Sequence, residues 1–369
     1  MAGRIVLFGA TGYTGELTAR ALVQNGARPV LAARSEQRVR ALAEELGGLE
    51  WAVADVERPE SVRDLLSAGD VLVSTVGPFA RWGATAVNAA IDAGAHYIDS
   101  TGEGPFIREV FEHYGPRAQT AGCGLLTALG YDWVPGNLAG GLALHEAGER
   151  ATRVEVGYFA TGGVVGPSAM SGGTRASAAG VLLERAFAFR DGRVIDERGG
   201  KRMRRFELSA GSSGPGITVG SSEHFTLPRL QPSLREVDVY LGWFGPASRV
   251  VQGFSAGIDL LTRVPGAKSA LGGLMGKLVK GSTGGPDAGS RANAGSLAFG
   301  EAFDASGTLL SSVRLEGVNG YDFTARFLAW AAQSAAAGGL QGTGALGPVD
   351  GFGLDALQEG CAQAGIKRV

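Results

Sequence analysis

The fold of this chain is decided by Arg4-Ile-Val-Leu-Phe-Gly9-Ala-Thr-Gly12-Tyr-Thr-Gly15, in which three evenly spaced glycines join a short apolar strand to a helix. Glycine is required in such a turn because the backbone bends tightly, a ligand approaches closely and the helix packs on the strand. The helix N-terminus then presents amide groups to an anion. The spacing is GxxGxxG, one residue longer than the usual GxGxxG fingerprint. We predict a dinucleotide site that includes Gly9, Thr11, Gly12, Tyr13, Thr14 and Gly15.

Short apolar runs alternate with amphipathic segments from Arg4 to about Ala128, which is the pattern of parallel βαβ units. Gly26 and Gly47 follow the first two predicted helices, Leu17–Gln24 and Gln37–Leu46, in the position of helix stops. The predicted strands are Arg4–Phe8, Pro29–Ala33, Glu50–Ala54, Val71–Val76, Tyr97–Asp99 and Gly124–Ala128. This order predicts an N-terminal Rossmann domain, an α/β fold with a doubly wound parallel sheet.

The end of the second strand distinguishes two cofactors, because a carboxylate there binds the ribose of NAD and an arginine binds the phosphate of NADP. Here the sequence reads Leu31-Ala-Ala-Arg34-Ser-Glu-Gln-Arg38, with no acid at the strand end. A guanidinium suits a doubly charged phosphate. We predict NADP(H), bound at this point by Ala33, Arg34, Ser35 and Arg38. The alternative is that these are solvated residues at a helix start.

Two later strand ends supply further predicted cofactor contacts. Asp55 follows the third strand, where it either binds the adenine amine or closes a turn. The segment Thr75-Val76-Gly77-Pro78 ends the fourth strand, past the point where the strand order of such a sheet reverses. Its rigid Gly-Pro pair fits a turn over the cofactor, and it fits an ordinary turn nearly as well.

After Tyr131, longer alternating strands replace the βαβ rhythm, which predicts a mixed or antiparallel sheet in a substrate domain. Asp304-Ala-Ser-Gly307 has the composition of a hairpin turn, and the Gly/Ser/Pro-rich stretch from Gly211 to Gly220 predicts a loop. The predicted strands are Arg153–Ala160, Val194–Arg198, Arg202–Leu208, Val237–Trp243, Gly295–Phe303 and Leu309–Gly317. The clearest predicted helices are Arg175–Phe187 and Asp322–Ala335.

Two parts of this second region have several possible roles. The stretch from Ala267 to Gly289 fits a mobile surface helix and linker, a substrate lid, or a weak membrane-surface contact. Thr174 and Arg175 open a predicted helix, which either receives an anionic substrate group or simply begins at the surface.

The composition limits the kinds of molecule that the protein is expected to bind. A formal net charge of −2 lacks the surplus of Lys and Arg that nucleic-acid binding needs, so we expect a small-molecule substrate and no nucleic acid. The longest charge-free stretch contains Gln, Ser, Pro and Gly, which argues against stable membrane insertion. Two distant cysteines and a start that passes straight into a strand favour a cytoplasmic protein. Four scattered histidines predict no metal site.

A hydride-transfer enzyme must hold its substrate beside the cofactor and supply a proton. The common short-chain solution is a tyrosine with a lysine four residues later. None of the seven tyrosines has a lysine at that distance, so we expect a different proton donor.

Seven motifs occur here in the order found in saccharopine dehydrogenase-like oxidoreductases, and the chain resembles that family over nearly its whole length. They are Gly9-Ala-Thr-Gly-Tyr-Thr-Gly15, Val76-Gly-Pro-Phe79, His96-Tyr-Ile-Asp-Ser-Thr-Gly-Glu103, Gly130-Tyr-Asp-Trp-Val-Pro135, Ser171-Gly-Gly-Thr-Arg-Ala-Ser177, Gly320-Tyr-Asp-Phe-Thr324 and Gly344-Ala-Leu-Gly-Pro-Val-Asp-Gly-Phe-Gly353. The family includes trans-acting enoyl reductases and reductases of imine-forming amino-acid adducts. The resemblance implies an NADPH-dependent reductase of a C=N, C=C or C=O bond in a small metabolite or biosynthetic intermediate. The alternative is a non-catalytic NADP(H)-binding sensor or scaffold.

The resemblance also implies a division of the chain and a homodimer. It places an NADP-binding Rossmann domain at residues 1–133, an inserted α+β mixed-sheet substrate and dimerisation domain at 134–338, and a C-terminal segment at 339–369 that returns to the first domain.

The same resemblance points to Tyr131 or Asp132 as the proton-donating or orienting group. It places Asp99, Thr101 and Glu103 near the nicotinamide, with Glu103 as a third catalytic residue and Thr101 as a cofactor contact. Helix capping is the alternative role for both aspartates. Relatives usually carry Ser or Ser-Asp after the proline of the Tyr131 motif, where this chain has Gly136-Asn137. This departure puts the family's substrate contacts at that turn in question.

Overall fold

A computed structural model describes residues 3–162, 185–243, 245, 248–250, 252–253 and 284–369. The chain divides into two compact units, each with its own β-sheet. The first comprises Met1–Gly102, Phe106–Leu138 and Gly317–Lys367, and the second comprises Glu103–Pro105, Ala139–Glu316 and Arg368–Val369. The motif at 171–177, with Thr174 and Arg175, and most of the stretch 267–289 lie outside the described residues.

The first unit contains a seven-stranded parallel sheet. Its strands are β1 (Ile5–Phe8), β2 (Val30–Ala33), β3 (Trp51–Val53), β4 (Val71–Ser74), β5 (His96–Asp99), β6 (Gly124–Leu126) and β15 (Gly344–Ala345). They lie in the order β15-β6-β5-β4-β1-β2-β3, and every neighbouring pair is parallel. The six strands predicted from the sequence are all present, and the doubly wound fold is confirmed. Strand β15 was not predicted, because two residues carry no recognisable periodicity.

Several helices lie wholly or partly in the first unit. They are α1 (Tyr13–Gln24), α2 (Glu36–Glu45), α3 (Pro59–Arg63), α4 (Phe79–Ala93), α5 (Gly104–Glu109), a π-helical turn (Val110–Tyr114), α6 (Gly115–Ala121), α7 (Val134–Ala147) with a following 3₁₀ turn (Gly148–Arg150), α10 (Gly320–Ala336), α11 (Pro348–Phe352) and α12 (Leu354–Ala364). The bounds given above for the two units divide α5 and α7 between them.

Helix α10 belongs to the first unit, although the predicted division placed it in the second domain. Its buried residues include Phe323, Phe327 and Leu328, and the helix packs against α1 and α12. The return of the chain to the first unit therefore begins at Gly317 and not at residue 339, because this apolar face is covered by the first unit's helices.

The second unit contains a mixed nine-stranded sheet. Its strands are β7 (Arg153–Gly162), β8 (Arg185–Arg190), β9 (Arg193–Arg198), β10 (Met203–Ser209), β11 (Ser212–Thr218), β12 (Glu236–Leu241), β13 (Ala294–Phe303), β14 (Leu309–Val318) and β16 (Ile366–Arg368), with helices α8 (Glu223–Leu230) and α9 (Ala288–Ala292). The main order is β10-β11-β12-β7-β13-β14-β16, with β8 pairing β12 and β9. Strands β12 and β7 are parallel, and β7 and β13 are antiparallel.

The β10–β11 hairpin crosses one face of this sheet. Strand β11 pairs with β12 through only Ile217 and Thr218, so the hairpin can bend away from the sheet. Phe206 of β10 packs against Phe159 of β7 and Phe299 of β13, with ring centroids 5.3 and 5.6 Å apart. The hairpin thus encloses an aromatic core on this face.

Two predictions for the second region are wrong. The stretch from Gly211 to Gly220 is not a loop, since Ser212–Thr218 forms β11. Its glycines fit the crowded hairpin, because a Cβ at Gly216 would lie 2.9 Å from Cβ of Tyr240. The helix predicted to end at Phe187 is also wrong in its last residues, which lie in β8. There, a turn at Asp191-Gly192, both with positive φ, pairs β8 with β9.

The hairpin predicted at Asp304–Gly307 is confirmed. Gly307 has a φ of +85° and its amide donates to the carbonyl oxygen of Asp304, 3.0 Å away. Within the described part of the chain, no helix is both long enough and apolar enough to cross a bilayer.

Candidate functional site

The carboxyl ends of five adjacent strands, β6, β5, β4, β1 and β2, meet along one edge of the first sheet. The strand order reverses beside β1, and at such a point an open α/β sheet binds its ligands. Most of the residues predicted for the site follow these strands.

The glycine-rich turn follows β1 and is held by main-chain hydrogen bonds. The amides of Gly9 and Ala10 donate to the carbonyl oxygen of Ala32, and Gly12 N donates to Gly9 O at 2.9 Å. Gly9 has a φ of +87°, and a Cβ at Gly15 would lie 2.1 Å from Gly9 O. A side chain at Gly15 would collide with the Gly9 carbonyl, so glycine is needed here for α1 to pack closely on this turn, which we call the glycine cradle.

Helix α1 begins at Tyr13, and Gly12 precedes it without a capping side chain. The first turn, which includes Thr14 and Gly15, therefore keeps main-chain donors for an anion. This is the arrangement that the glycine spacing predicted.

Thr75 and Val76 border the same turn from the end of β4. Thr75 Oγ1 lies 3.2 Å from the carbonyl oxygens of both Phe8 and Gly9 and donates to them. A Cβ at Gly9 would lie 2.7 Å from Thr75 Oγ1 and 2.8 Å from Val76 Cγ2. Beyond them, Gly77–Pro78 is a cis peptide bond, and α4 begins at Phe79. The β4 end thus fixes the shape of the glycine-rich turn.

Two arginines follow β2. Ala33 is buried as the last residue of the strand, whereas Arg34 is exposed. In the described residues the Arg34 guanidinium has no hydrogen-bond or ion-pair partner. Ser35 caps α2 by accepting from Arg38 N, and Arg38 Nη2 donates to Thr11 O at 2.6 Å. Positive charge therefore lies next to the glycine-rich turn.

Asp55 has a local structural role. Its Oδ1 accepts a hydrogen bond from Glu57 N at 3.1 Å, and its main-chain amide donates to Ser61 Oγ at 3.0 Å. The turn role is therefore present, and the contact to adenine stays a prediction.

Asp99 joins the ends of β5 and β6. Its buried carboxylate accepts from Thr101 N, Ala128 N and Thr127 Oγ1, each at 2.9 Å. None of these donors belongs to α5, so Asp99 does not cap that helix. Burial raises the pKa of Asp99 to about 6, although the three hydrogen bonds act in the opposite direction. Thr101 is buried and held in this network.

The Tyr131–Asp132 turn follows β6 and leads into α7. Tyr131 N donates to Thr324 Oγ1 at 2.9 Å, and Val134 N donates to Gly130 O at 3.0 Å. A Cβ at Gly102 would lie 3.3 Å from Asp132 Oδ2. The structure therefore brings Asp132 next to the segment that follows Asp99, within one unit.

The third predicted catalytic residue, Glu103, belongs to the second unit. The residue after it, Gly104, lies there against Gly220 and the ring of Phe187. Tyr131 and Asp132 belong to the first unit.

Sequence reasoning missed two groups of residues. Tyr321 of α10 packs edge-to-face on Tyr13, with centroids 5.2 Å apart. In the second unit, Tyr158 Oη donates to Glu223 Oε1 at 2.5 Å, and burial raises the pKa of Glu223 to about 7. The signal for the second group is the polar run Gly220-Ser-Ser-Glu-His224, which the sequence analysis did not single out.

Residues 5–125 match the family described as saccharopine dehydrogenase NADP binding domain. This part of the chain is therefore similar to that family. The predicted family and the predicted NADP(H) cofactor are thereby confirmed for the NADP-binding domain, whose glycine cradle and Arg34 fit that cofactor.

Two curated relatives each match rather more than a third of the chain. A trans-acting enoyl reductase from Mycobacterium ulcerans is 40% identical over 140 residues, which cover 36% of this chain and 34% of that protein. A putative trans-acting enoyl reductase from Mycobacterium tuberculosis is 40% identical over 151 residues, which cover 39% of this chain and 36% of that protein. The match thus spans about a third of these relatives' length.

A solved structure resembles the chain over its whole length. It is the apo saccharopine dehydrogenase (L-Glu forming) from Saccharomyces cerevisiae, with a TM-score of 0.60, 14% identity and 100% of both chains covered. At this identity the likeness shows the fold, in which an NADP-binding domain is combined with a second, mixed-sheet unit.

Proposed function

We propose that the protein is an NADPH-dependent reductase that adds hydride to a C=N, C=C or C=O bond of a small metabolite or biosynthetic intermediate. One observation carries this proposal: the glycine cradle and the Tyr131–Asp132 turn follow strands β1 and β6 at the same edge of one sheet. This edge is where an open α/β sheet assembles a cofactor and a substrate.

The NADP-binding domain binds the cofactor through main-chain donors of Gly9–Gly15 and through charge from Arg34 and Arg38. Thr75 and Val76 keep the turn in shape, and Gly77 and Pro78 extend the contact surface. The bound cofactor supplies the hydride.

Addition of hydride leaves negative charge on the substrate, which a protein group must neutralise with a proton. We assign this role to Asp132 or Tyr131, because both lie in the turn after β6 and Asp132 Oδ2 lies beside Gly102. Asp99 acts as a positioning residue, since it holds Thr101 and Ala128 in place. Glu103 stays a proposed catalytic residue, and we propose that the second unit is the substrate and dimerisation domain.

Because both curated relatives are named as enoyl reductases, the C=C bond of an α,β-unsaturated carbonyl compound is our first candidate for the bond reduced. The formal net charge of −2 supports a small-molecule substrate over a nucleic acid. We further propose that the protein works as a homodimer in the cytoplasm.

The test is turnover. The purified protein is mixed with NADPH and a panel of enones, imines and ketones, and the nicotinamide absorbance is followed, with NADH as the matched control. Oxidation of NADPH that depends on one class of acceptor supports the proposal. Tight NADPH binding without turnover of any acceptor supports the sensor or scaffold alternative and contradicts the reductase.

A further inference from the structure

We propose that the first turn of α10, Asn319–Thr324, is a positioning element that holds the Tyr131–Asp132 turn in a fixed place relative to the glycine-rich turn. It touches both turns, through Thr324 and Tyr321, within the first unit. The proposal rests on the proposed function, because it assigns that reaction two further residues that act through others.

Thr324 holds the Tyr131–Asp132 turn by hydrogen bonding. Its Oγ1 accepts from Tyr131 N at 2.9 Å and donates to Gly320 O at 2.7 Å, so the hydroxyl is oriented by its own helix. The Tyr131 amide is therefore fixed by a side chain 193 residues away in sequence. A buried loop amide needs a hydrogen-bond partner, and for Tyr131 the Thr324 hydroxyl supplies it, so Thr324 helps to fix where the turn lies.

Gly320 supports the same turn by its lack of a side chain. A Cβ at this position would lie 3.1 Å from two ring atoms of Tyr131, which is tighter than ordinary van der Waals contact. The Tyr131 ring is therefore seated directly on the first residue of α10.

Tyr321 contacts the glycine-rich turn. Its ring meets that of Tyr13 at an interplanar angle of 87°, and Tyr13 is the residue that follows Gly12. Edge-to-face aromatic pairs of this kind have a preferred geometry and resist displacement. Tyr321, which lies in the same helical turn as Thr324, therefore contacts the first residue of α1.

The turn that carries Tyr321 and Thr324 is itself rigid. Asn319 Oδ1 accepts from the amides of Tyr321 and Asp322, both at 3.0 Å, and Asn319 Nδ2 donates to Asp322 Oδ2 at 2.7 Å. The spacing between the glycine-rich turn and the Tyr131–Asp132 turn is therefore set by one capped turn of α10. Reaction rate depends steeply on such spacing, since a displacement of about 1 Å can cost roughly a hundredfold in rate.

The experiment separates the two contacts. Thr324→Val removes the hydroxyl, and Thr324→Ser restores it. We expect T324V to lower kcat by about tenfold or more while the NADPH Kd, measured by fluorescence titration, stays within about twofold, and T324S to recover most of kcat. Tyr321→Ala should raise the NADPH Kd by about three- to tenfold, whereas Tyr321→Phe, which keeps the ring pair, should not.

Equal kcat in T324V and wild type, or an unchanged NADPH Kd in Y321A, overturns the proposal. So does a parallel loss of kcat and NADPH affinity in T324V that follows a lower Tm, because that result indicates a role in stability alone.

A second measurement does not need turnover. Amide hydrogen exchange of the peptide containing Tyr131 should slow when NADPH is added to wild type and should not slow in T324V. If wild type turns over none of the acceptors but shows this protection, the reductase is contradicted and the positioning element stands. Absence of protection in wild type contradicts the positioning element.

Discussion

The Arg38 guanidinium donates a 2.6 Å hydrogen bond to the carbonyl oxygen of Thr11, which ties the first turn of α2 to the glycine-rich turn. Arg34, at the end of β2, is exposed and has no such partner in the described part of the chain. One arginine thus shapes the turn, and the other keeps its charge for a ligand. The NADP preference should therefore depend on Arg34.

Replacing Arg34 with Asp should raise the NADPH Kd by about tenfold or more, because a hydrogen bond to a charged group contributes roughly 1.5–3 kcal/mol. The NADH Kd should change little, and both constants come from fluorescence titration. Arg40→Asp is the matched control, because Arg40 is an exposed arginine on α2. Its Nε atom lies 3.8 Å from Oε1 of Glu44 on the same helix. An unchanged preference for NADPH in R34D would remove Arg34 from the phosphate site.

Replacing Gly15 with Ala should abolish NADPH binding and lower the free energy of unfolding by about 1–3 kcal/mol, because the new Cβ would lie 2.1 Å from Gly9 O. Titration with NADPH and urea denaturation measure the two effects. Gly26→Ala is the control, because Gly26 has a φ of +81° and open surroundings. This variant should lower the free energy of unfolding by about 1 kcal/mol and leave the NADPH Kd unchanged. Normal binding by G15A would contradict the cradle.

The Asp99 carboxyl should make stability depend on pH in a defined direction. Its pKa is raised from 3.8 to about 6, so the folded state binds more protons than the unfolded state between these values. Stability therefore falls as pH rises through this window, by at most about 3 kcal/mol. Asp99→Asn keeps an acceptor oxygen and should lose this dependence.

Urea denaturation of wild type and D99N at pH 4, 6 and 8 checks this prediction. The advantage of wild type over the variant should shrink between pH 4 and pH 6 to 7 and then level off. A difference that stays constant across the series would show that Asp99 does not titrate in this window.

In the second unit, Arg204 of β10 forms ion pairs with both Glu155 and Glu301, which face each other directly on β7 and β13. Arg204→Met would leave the buried Glu155 opposite the partly buried Glu301, with Arg153 still paired to Glu155 at 3.0 Å. We expect a loss of about 2–4 kcal/mol in the free energy of unfolding, below the 3–5 kcal/mol of a fully buried pair because Arg204 keeps some exposure.

Arg205→Met on the same strand is the control, because Arg205 is exposed and binds Ser213. Arg205→Met should lower the free energy of unfolding by less than about 1 kcal/mol, as surface substitutions usually do. Urea denaturation compares the two variants. Similar losses in R204M and R205M would mean that the paired carboxylates do not depend on Arg204.

The first sheet was predictable because its strands are continuous apolar runs buried on both faces, as in β1, β2 and β4. Strand β11 was not, since Gly214 and Gly216 disfavour a strand in isolation. The reason for glycine in this strand lies in the residues packed against it, because a Cβ at Gly214 would lie 2.9 Å from Leu208 Cδ1. Composition alone therefore indicated a loop.

The glycine-rich turn was predictable because its geometry is local. The contacts that complete the site are not local: Arg38 meets Thr11, Thr75 meets Gly9 and Thr324 meets Tyr131, over separations of 27, 66 and 193 residues. A single sequence gives the residue types at these positions and no distances between them. The roles of Tyr321 and Thr324 became visible only once α10 was placed beside α1.

Strand β15 and helix α10 have a consequence for biosynthesis. The sheet edge at β6 and the buried face of α1, which includes Ala19 and Leu22, acquire their partners only when residues 317–367 have been made. Domains generally close in the order in which the ribosome releases them. Here the NADP-binding domain is started first and completed last, so the nascent chain carries an open Rossmann sheet while the second unit is still being translated.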